Sequence, residues 1–241
     1  MRLDKFISDT SASSRREATS LIKKGAVTVN GVPICNPSAH IDPNADEIIF
    51  KGKRVSYSKY TYVMLNKPEG YVSATEDASL PVVTDLLPPE LQRLGMFPVG
   101  RLDRDTIGLM VLTNNGTLAH ALLSPKRHVQ KKYFSRFAEP LSAGAEEMFR
   151  DGVTLADGYE CKSAEIVADS DRLSGIITLT EGKYHQIKRM LGALHNRVVY
   201  LERITFGPLS LDPALSRGQW RMLTDEEVKA LCDSVPESLR G

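Results

Sequence analysis

The sequence predicts an α+β fold in two unequal domains. Predicted strands outnumber predicted helices and often follow one another directly, which favours α+β over a doubly wound α/β sheet. The chain has 241 residues, 41% of them hydrophobic and 25% charged, which is ordinary for a globular protein of one or two domains. Ten Lys/Arg against six Asp/Glu give residues 1–59 a net charge of +4, while residues 60–241 carry −3. We therefore expect domains at 1–59 and 60–241, with a linker at 56–59.

Composition also excludes several classes of protein. No apolar run approaches the roughly 18 residues of a membrane-spanning helix, and the N-terminus lacks the apolar stretch of a secretory signal. The three cysteines are far apart, which argues against a disulfide framework or a zinc site and favours a reducing cytosol. The five histidines show no metal-ligand spacing, and no phosphate-binding or dinucleotide-binding glycine motif is present. We expect a cytoplasmic protein that uses neither metal nor cofactor.

The N-terminal piece is predicted to form two helices and a small sheet. Leu3, Phe6 and Ile7 have helical spacing, and Ser14 with Glu17 forms a capping-box pattern that begins a second helix.

A hairpin follows the two helices. Asn30-Gly31 between two β-rich runs is a strong signal for a type I′ turn, and Pro33 places its strand at a sheet edge. A further strand is predicted over 47–50.

Two arginines occupy an unfavourable position in the second helix. Arg15 and Arg16 lie in its first turn, where the helix dipole disfavours each cation by about 0.3–1 kcal/mol. Arg2, Lys23 and Lys24 are able to join them on one face. The cluster indicates an anionic partner, although a solvated charged surface is an equally good interpretation of the charges alone.

The runs RLDKFI and SSRREATSLIKKGAVTVNG, within about residues 1–50, resemble the S4 domain, a small RNA-binding module. The resemblance implies that the cations of this piece face RNA phosphates, a contact that positions a protein without reading sequence. The residues concerned are Arg2, Arg15, Arg16, Lys23 and Lys24.

The larger piece alternates short strands with a few helices. A turn is predicted at 66–70, after the first strand. Strands are predicted at 61–65, 96–99, 108–113, 131–137 and 174–180, and the stretch 198–211 is predicted to be rich in strands. Helices are predicted at 117–123, 143–150, 184–195 and from 225.

Three segments of this piece are candidates for chemistry. In the first, Asp103 lies between Arg101 and Arg104, and neighbouring cations favour an ionised carboxylate that can act as a nucleophile. Asp105, two residues on, leaves a paired-carboxylate glycosidase as an alternative. A structural turn closed by ion pairs is the third interpretation.

The second segment, residues 125–136, combines cations with aromatic rings. Such a mixture suits RNA, because cations bind phosphates and rings stack on bases. An exposed edge strand rich in lysine is the alternative. Tyr133 and Phe134 are interleaved with Lys126, Arg127, Lys131, Lys132 and Arg136.

The third segment, residues 181–191, is a basic amphipathic helix. Its apolar positions face the core, so His185 and Lys188 lie on another face. Lys188 is therefore able to reach a carboxylate from another segment. An ordinary basic helix surface is the alternative.

Together these segments resemble the bacterial pseudouridine synthases that act on a single uridine of ribosomal RNA, and most of all those of the small-subunit 16S RNA. The resemblance runs through nearly the whole chain. The motifs are VMLNKPEGYVSA, GRLDRDTIGLMVLTNNG, KKY and EGKYHQIKRML.

This resemblance implies roles for individual residues. Asp103 would be the nucleophile, Tyr133 would stack on the target base and help to move protons, and Lys188 would pair with Asp103. Around the substrate it places Arg101, which shapes the catalytic loop, together with Arg104 and Leu191.

The implied function is the isomerisation of one 16S uridine to pseudouridine after base flipping, by a monomer acting on RNA or on a small-subunit assembly intermediate, with no membrane involved. Three alternatives remain. A 23S enzyme would use the same chemistry, an assembly factor with an S4 domain would only bind RNA, and a hydrolase would use Asp103 with Asp105.

Overall fold

The computed structural model describes residues 1–10, 14–43, 45–55, 59–124 and 126–240. The chain forms two compact units, one comprising Met1–Thr61 with Leu87–Met96 and the other Tyr62–Leu86 with Phe97–Gly241. The predicted linker lies mostly outside the described residues, since 56–58 are not among them. The boundary between 59 and 60 stays a prediction.

The first unit consists of helices and a four-stranded antiparallel sheet, with strand order β2-β1-β3-β4. The predicted helices and hairpin are confirmed, whereas β4 and α3 were not predicted. The elements are α1 (Leu3–Thr10), α2 (Arg15–Lys23), β1 (Val27–Val29), β2 (Val32–Pro33), β3 (Ile48–Phe50), β4 (Lys53–Val55) and α3 (Pro89–Gln92).

Local sequence accounts for most of this unit. The Glu17 amide donates to Ser14 Oγ at 3.2 Å and the Ser14 amide donates to Glu17 Oε2 at 2.8 Å, so the capping box is confirmed. Asn30 and Gly31 both have positive φ, at 50° and 78°, as a type I′ turn requires. Pro33 lies on the edge strand as predicted. The core is apolar and contains Leu3, Phe6, Ile7, Ala18, Ile22, Val27 and Ile48.

The second unit contains a nine-stranded sheet whose main path is β13-β5-β7-β11-β8-β10-β9, with β6 beside β7 and β12 beside β11. The strands are β5 (Tyr62–Lys67), β6 (Phe97–Pro98), β7 (Ile107–Thr113), β8 (Lys131–Phe137), β9 (Glu165–Ala168), β10 (Ser174–Leu179), β11 (Val198–Phe206), β12 (Leu209–Ser210) and β13 (Trp220–Met222). The helices are α4 (Gly116–Leu123), α5 (Ala145–Asp151), α6 (Gln186–Ala193) and α7 (Asp225–Asp233).

The fold class is confirmed as α+β with a mixed, mainly antiparallel sheet. Among the described strand pairs of this sheet, β7 and β11 pair in parallel and the others are antiparallel. The parallel contact requires a glycine, because a Cβ on Gly108 would lie 2.4 Å from the carbonyl oxygen of Arg203. This close approach brings β11 to the loop that precedes β7.

Two sequence predictions in this unit are wrong in detail. Asn66 and Lys67 were placed in a turn but are the last residues of β5, because β7 continues to pair with them as far as Gly108. The helix predicted over 184–195 begins at Gln186, because His185 adopts a left-handed conformation with φ of 49°. β9 and β13 were not predicted.

None of the helices in the described part of the chain is long and apolar enough to cross a membrane.

Candidate active site

A cavity of about 660 Å³ opens in the second unit. Its walls come from the loop before β7, from β8 and β11, and from the segment that leads into α6. The structure brings four of the predicted site residues to this cavity, namely Arg101, Asp103, Tyr133 and Lys188. Its volume is in the range of ligand-binding pockets.

Lys188 joins the two carboxylates of the loop. Its Nζ lies 3.0 Å from Asp103 Oδ2 and 2.5 Å from Asp105 Oδ1. Burial lowers the pKa of Lys188, but its hydrogen bonds to Asp105 and Asp103 outweigh burial and raise the pKa. Burial likewise opposes the shift of Asp105, whose pKa is lowered by the hydrogen bond and charge of Lys188. The ammonium therefore stays charged beside the carboxylate that lines the cavity.

His185 is a neighbour of Asp103 to which the sequence assigned no role. Its Nε2 lies 3.6 Å from Asp103 Oδ1, and its ring stacks on that of Tyr184, with centroids 3.9 Å apart and planes at 16°. Left-handed backbone at a residue other than glycine is a strained state that clusters at functional sites. The motif EGKYHQIKRML contains this residue, but its backbone conformation could not be read from the motif.

The buried side chain of Lys67 supports the loop before β7, which contains Asp103. Its side chain is fully buried, and Nζ donates to the carbonyl oxygens of Pro68 at 3.2 Å, Asp103 at 3.0 Å, Arg104 at 3.2 Å and Thr106 at 2.8 Å. Burial lowers the pKa of Lys67 to about 8. The backbone on either side of the Asp103 carboxylate is thus fixed by one buried cation.

Ser73 fixes the same loop from the side of the cavity. Its hydroxyl donates to the Leu102 carbonyl at 2.8 Å and accepts from the Leu102 amide at 2.9 Å. Lys67 and Ser73 both belong to the run VMLNKPEGYVSA, for which no roles of individual residues were predicted. Residues of the run VMLNKPEGYVSA therefore support the loop at the start of the run GRLDRDTIGLMVLTNNG.

The floor of the cavity carries two buried or half-buried cations. Arg203 is fully buried beside Tyr133, its pairing partner across β8 and β11; it donates from Nε to the Leu109 carbonyl at 2.7 Å and forms no ion pair within the described residues. Burial lowers the pKa of Arg203, which Tyr133 opposes. Lys131 lies over Phe206, and burial lowers its pKa to about 8. Neither role was predicted.

Two predicted pocket residues lie elsewhere. Arg104 is exposed and its side chain does not line the cavity. Its contribution to the site is the carbonyl oxygen, which accepts a hydrogen bond from Lys67. Leu191 is fully buried in the core and does not line the cavity either. Ile187, one turn earlier on the same face of α6, takes that position because it lies nearer the end of the helix that faces the cavity.

The residues of the segment 125–136 differ in the face of the sheet that they occupy and in their exposure. Pro125 lies outside the described residues. Tyr133 faces the cavity and is buried, while Phe134 is half-buried on the opposite face of β8. Among the basic residues, Lys131 lines the cavity. The others are exposed, namely Lys126, Arg127, Lys132 and Arg136.

In the first unit, the predicted RNA-contacting residues differ in their surroundings. Arg2 and Arg15 both bind the buried carboxylate of Asp4, at 2.7 Å and 3.3 Å. This carboxylate offsets the unfavourable place of Arg15 at the helix N-terminus. Arg16, Lys23 and Lys24 are exposed and form no ion pair within the described residues.

The Asp4 cluster predicts a pH-dependent contribution to stability. The hydrogen bond from Arg2 holds the pKa of Asp4 at about 2, against burial and with help from Arg15. The unfolded chain binds this proton more tightly, so the stabilisation is complete above the ordinary value of 3.8 and is lost as pH falls toward 2. We expect Asp4→Asn to destabilise the first unit by about 2 kcal/mol at pH 6, and by less at pH 3.

Urea unfolding followed by NMR signals of the first unit measures this difference. A destabilisation of equal size at both pH values would contradict the assignment.

Comparison with known proteins agrees with this geometry. The RNA pseudouridylate synthase family matches residues 61–193 and the S4 domain matches residues 1–46. An uncharacterised RNA pseudouridine synthase of Bacillus subtilis is 44% identical, with 96% of this chain and 98% of that protein covered. Ribosomal small subunit pseudouridine synthase A of Vibrio cholerae is 36% identical, with 96% and 99% covered.

The corresponding Escherichia coli protein is 35% identical, with 96% of this chain and 100% of that protein covered. A crystal structure of a pseudouridylate synthase aligns with a TM-score of 0.68 at 35% identity, covering 96% of this chain and 99% of the other. The chain therefore belongs to the family of RNA pseudouridylate synthases, isomerases that convert uridine in RNA to pseudouridine, and carries an S4 domain at its N-terminus.

Proposed function

We propose that this enzyme isomerises one uridine of 16S ribosomal RNA, with Asp103 as the nucleophile. The target is supported by relatives named for the ribosomal small subunit, which match over nearly their whole length. The observation that carries the nucleophile is the 3.0 Å contact between Lys188 Nζ and Asp103 Oδ2 at the cavity. A carboxylate that lines a cavity and pairs with an ammonium is a suitable nucleophile.

The reaction exchanges one bond of the nucleotide for another. The N1–C1′ bond breaks, the uracil rotates, and C5 bonds to C1′. The hydrogen on C5 leaves as a proton and N1 gains one, so no electrons and no group donor are required. Asp103 stabilises or traps C1′ while the base is detached. The bound RNA and the cavity walls must together keep water from C1′, where hydrolysis would otherwise follow.

Tyr133 is placed to stack on the detached uracil and to relay its proton. Its ring is buried in the cavity wall, and Arg203 lies next to it without a carboxylate partner among the described residues. We assign proton removal from C5 to Tyr133, with Arg203 as its positioning residue.

Base flipping brings the uridine to these groups. A stacked base is out of reach of a nucleophile set in a cavity, so the target nucleotide must leave its stack. We propose that Arg101, at the mouth of the cavity, and Arg104, exposed three residues later, contact the RNA strand as this occurs. The S4 domain supplies further phosphate contacts that position the RNA.

The S4 contribution predicts a change in salt dependence. Because each released counterion adds to the slope of binding affinity against salt concentration, Arg15→Ala with Arg16→Ala should weaken RNA binding and flatten that slope. Arg16→Ala alone should have part of this effect. Arg150→Ala, which removes one exposed arginine from α5 in the other unit, is the control. An unchanged slope in the double variant would indicate a solvated surface.

Tritium release from RNA labelled at uridine C5 tests the function directly, because C5 loses its hydrogen when it bonds to C1′. The purified enzyme is incubated separately with 16S RNA, 23S RNA and a small-subunit assembly intermediate, without added cofactor. We expect stoichiometric release from 16S RNA or its assembly intermediate.

Release from 23S RNA alone would keep the chemistry and overturn the target. Silence on all three substrates would favour an RNA-binding assembly factor. Release of free uracil or sugar would instead indicate a hydrolase. A monomeric, cytoplasmic enzyme remains our expectation for its state in the cell.

A further inference from the structure

Tyr184 is exposed at the mouth of the cavity. At 67% exposure it is the most exposed large apolar or aromatic side chain among the described residues, and it lines the same cavity as Asp103. The isomerisation as described above does not use it. An exposed aromatic ring at the rim of an RNA-modifying site requires an explanation, because solvation of its apolar face is unfavourable.

The ring is held in place before any RNA binds. It stacks on His185, with ring centroids 3.9 Å apart, and the backbone next to it is fixed by the left-handed conformation of His185 and by Arg189, which donates to the Tyr184 carbonyl at 3.4 Å. One ring face is thus covered, and the exposure of the side chain leaves the other face to solvent. Such a rigid aromatic surface loses little entropy when a base stacks on it.

This surface is linked directly to the reacting group. His185, on which Tyr184 stacks, has its Nε2 3.6 Å from Asp103 Oδ1. A base that stacks on the outer face of Tyr184 is therefore placed in a fixed relation to the carboxylate. Tyr133, in contrast, is buried inside the cavity. The two rings occupy different depths, so they suit two different nucleotides.

Two exposed cations line the same cavity as the ring. Lys183 precedes it in sequence, and Arg101 lines the same cavity. Neither forms an ion pair within the described part of the chain, although Lys183 Nζ lies over the ring of Tyr159 at 4.6 Å. Aromatic faces for bases, together with cations for phosphates, are what single-stranded RNA requires.

We propose that Tyr184 stacks on the base of a nucleotide next to the target uridine, while Lys183 and Arg101 neutralise the adjacent phosphates. The proposal rests on the proposed function and adds to it a contact that sets the register of the RNA strand. One nucleotide enters the cavity and its neighbour is retained at the rim. The contact reads a ring face, so it tolerates different bases.

Steady-state tritium release tests the proposal on the RNA that the wild-type enzyme modifies. When a ring that stacks on a base is replaced by alanine, the affinity for the nucleic acid falls by a factor of about 5 to 150. We expect Tyr184→Ala to lower kcat/KM by a factor in this range, mainly through KM. Tyr184→Phe should keep the wild-type value, because it keeps the ring. Tyr184→Leu should stay impaired, because an apolar side chain without a ring does not stack.

Met148→Ala is the matched control, since it removes an exposed apolar side chain on α5, away from the cavity. Any of three results would overturn the proposal. Tyr184→Ala could show the wild-type kcat/KM, or Tyr184→Leu could restore it fully. Tyr184→Phe could also lose as much kcat/KM as Tyr184→Ala.

A binding measurement separates this inference from the proposed function. If the wild type releases no tritium from any substrate, the proposed function has failed, and fluorescence anisotropy with a labelled single-stranded oligouridine still tests the ring. Weaker binding by Tyr184→Ala than by Met148→Ala supports the stacking surface. Equal binding by the two variants overturns it.

Discussion

Asp103→Asn abolishes tritium release while RNA binding persists: this is the largest effect we expect. Asparagine keeps the size of the side chain but removes the charge that attacks or stabilises C1′, and loss of a nucleophile costs at least about a thousandfold in turnover. Binding should persist because phosphate contacts on the rest of the surface remain. Single-turnover tritium release and RNA binding by anisotropy measure the two effects separately.

The neighbouring carboxylate supplies the control. Asp105 binds the same ammonium at 2.5 Å but is 61% exposed and does not line the cavity. Asp105→Asn should therefore retain most of the turnover, with a modest loss because Lys188 is less firmly held. Equal activity in the two variants would contradict the nucleophile role of Asp103 and favour a pair that acts together.

Lys67→Met should have the largest effect on stability. The substitution keeps an unbranched side chain of similar length but removes the donor shared by the carbonyl oxygens of Pro68, Asp103, Arg104 and Thr106. Buried carbonyls that lose a charged donor cost about 3 kcal/mol in unfolding free energy. Turnover should fall as well, because the same carbonyls set the position of the loop that carries Asp103. Urea unfolding and tritium release measure both losses.

Lys229→Met is the matched control, because Lys229 is exposed on α7 and its substitution removes one charge without uncovering buried carbonyls. Unchanged unfolding of Lys67→Met relative to this control would mean that the loop keeps its position without the cation. Reduced turnover with unchanged stability would instead assign Lys67 to the chemistry rather than to the support of the loop.

Several features of the fold could be predicted from sequence because their causes are local. The capping box of Ser14 and Glu17 and the Asn30-Gly31 turn depend on residues a few positions apart. β8 begins and ends at the predicted residues. Elements whose neighbours decide their ends were less well predicted, as the extension of β5 to Lys67 demonstrates.

The candidate site also combines features that local sequence predicts with features that depend on distant parts of the chain. The sequence by itself, through its motifs, determined which side chains are candidates for the chemistry, including Asp103 and Lys188. Only the tertiary structure decided what supports them: Lys67 meets its acceptors up to 39 residues away and Lys188 meets Asp105 83 residues away. Such contacts leave no periodic pattern along the chain, because packing between distant strands creates them. For the same reason Leu191 was placed in a pocket that Ile187 lines, and the exposed ring of Tyr184 became visible only in three dimensions.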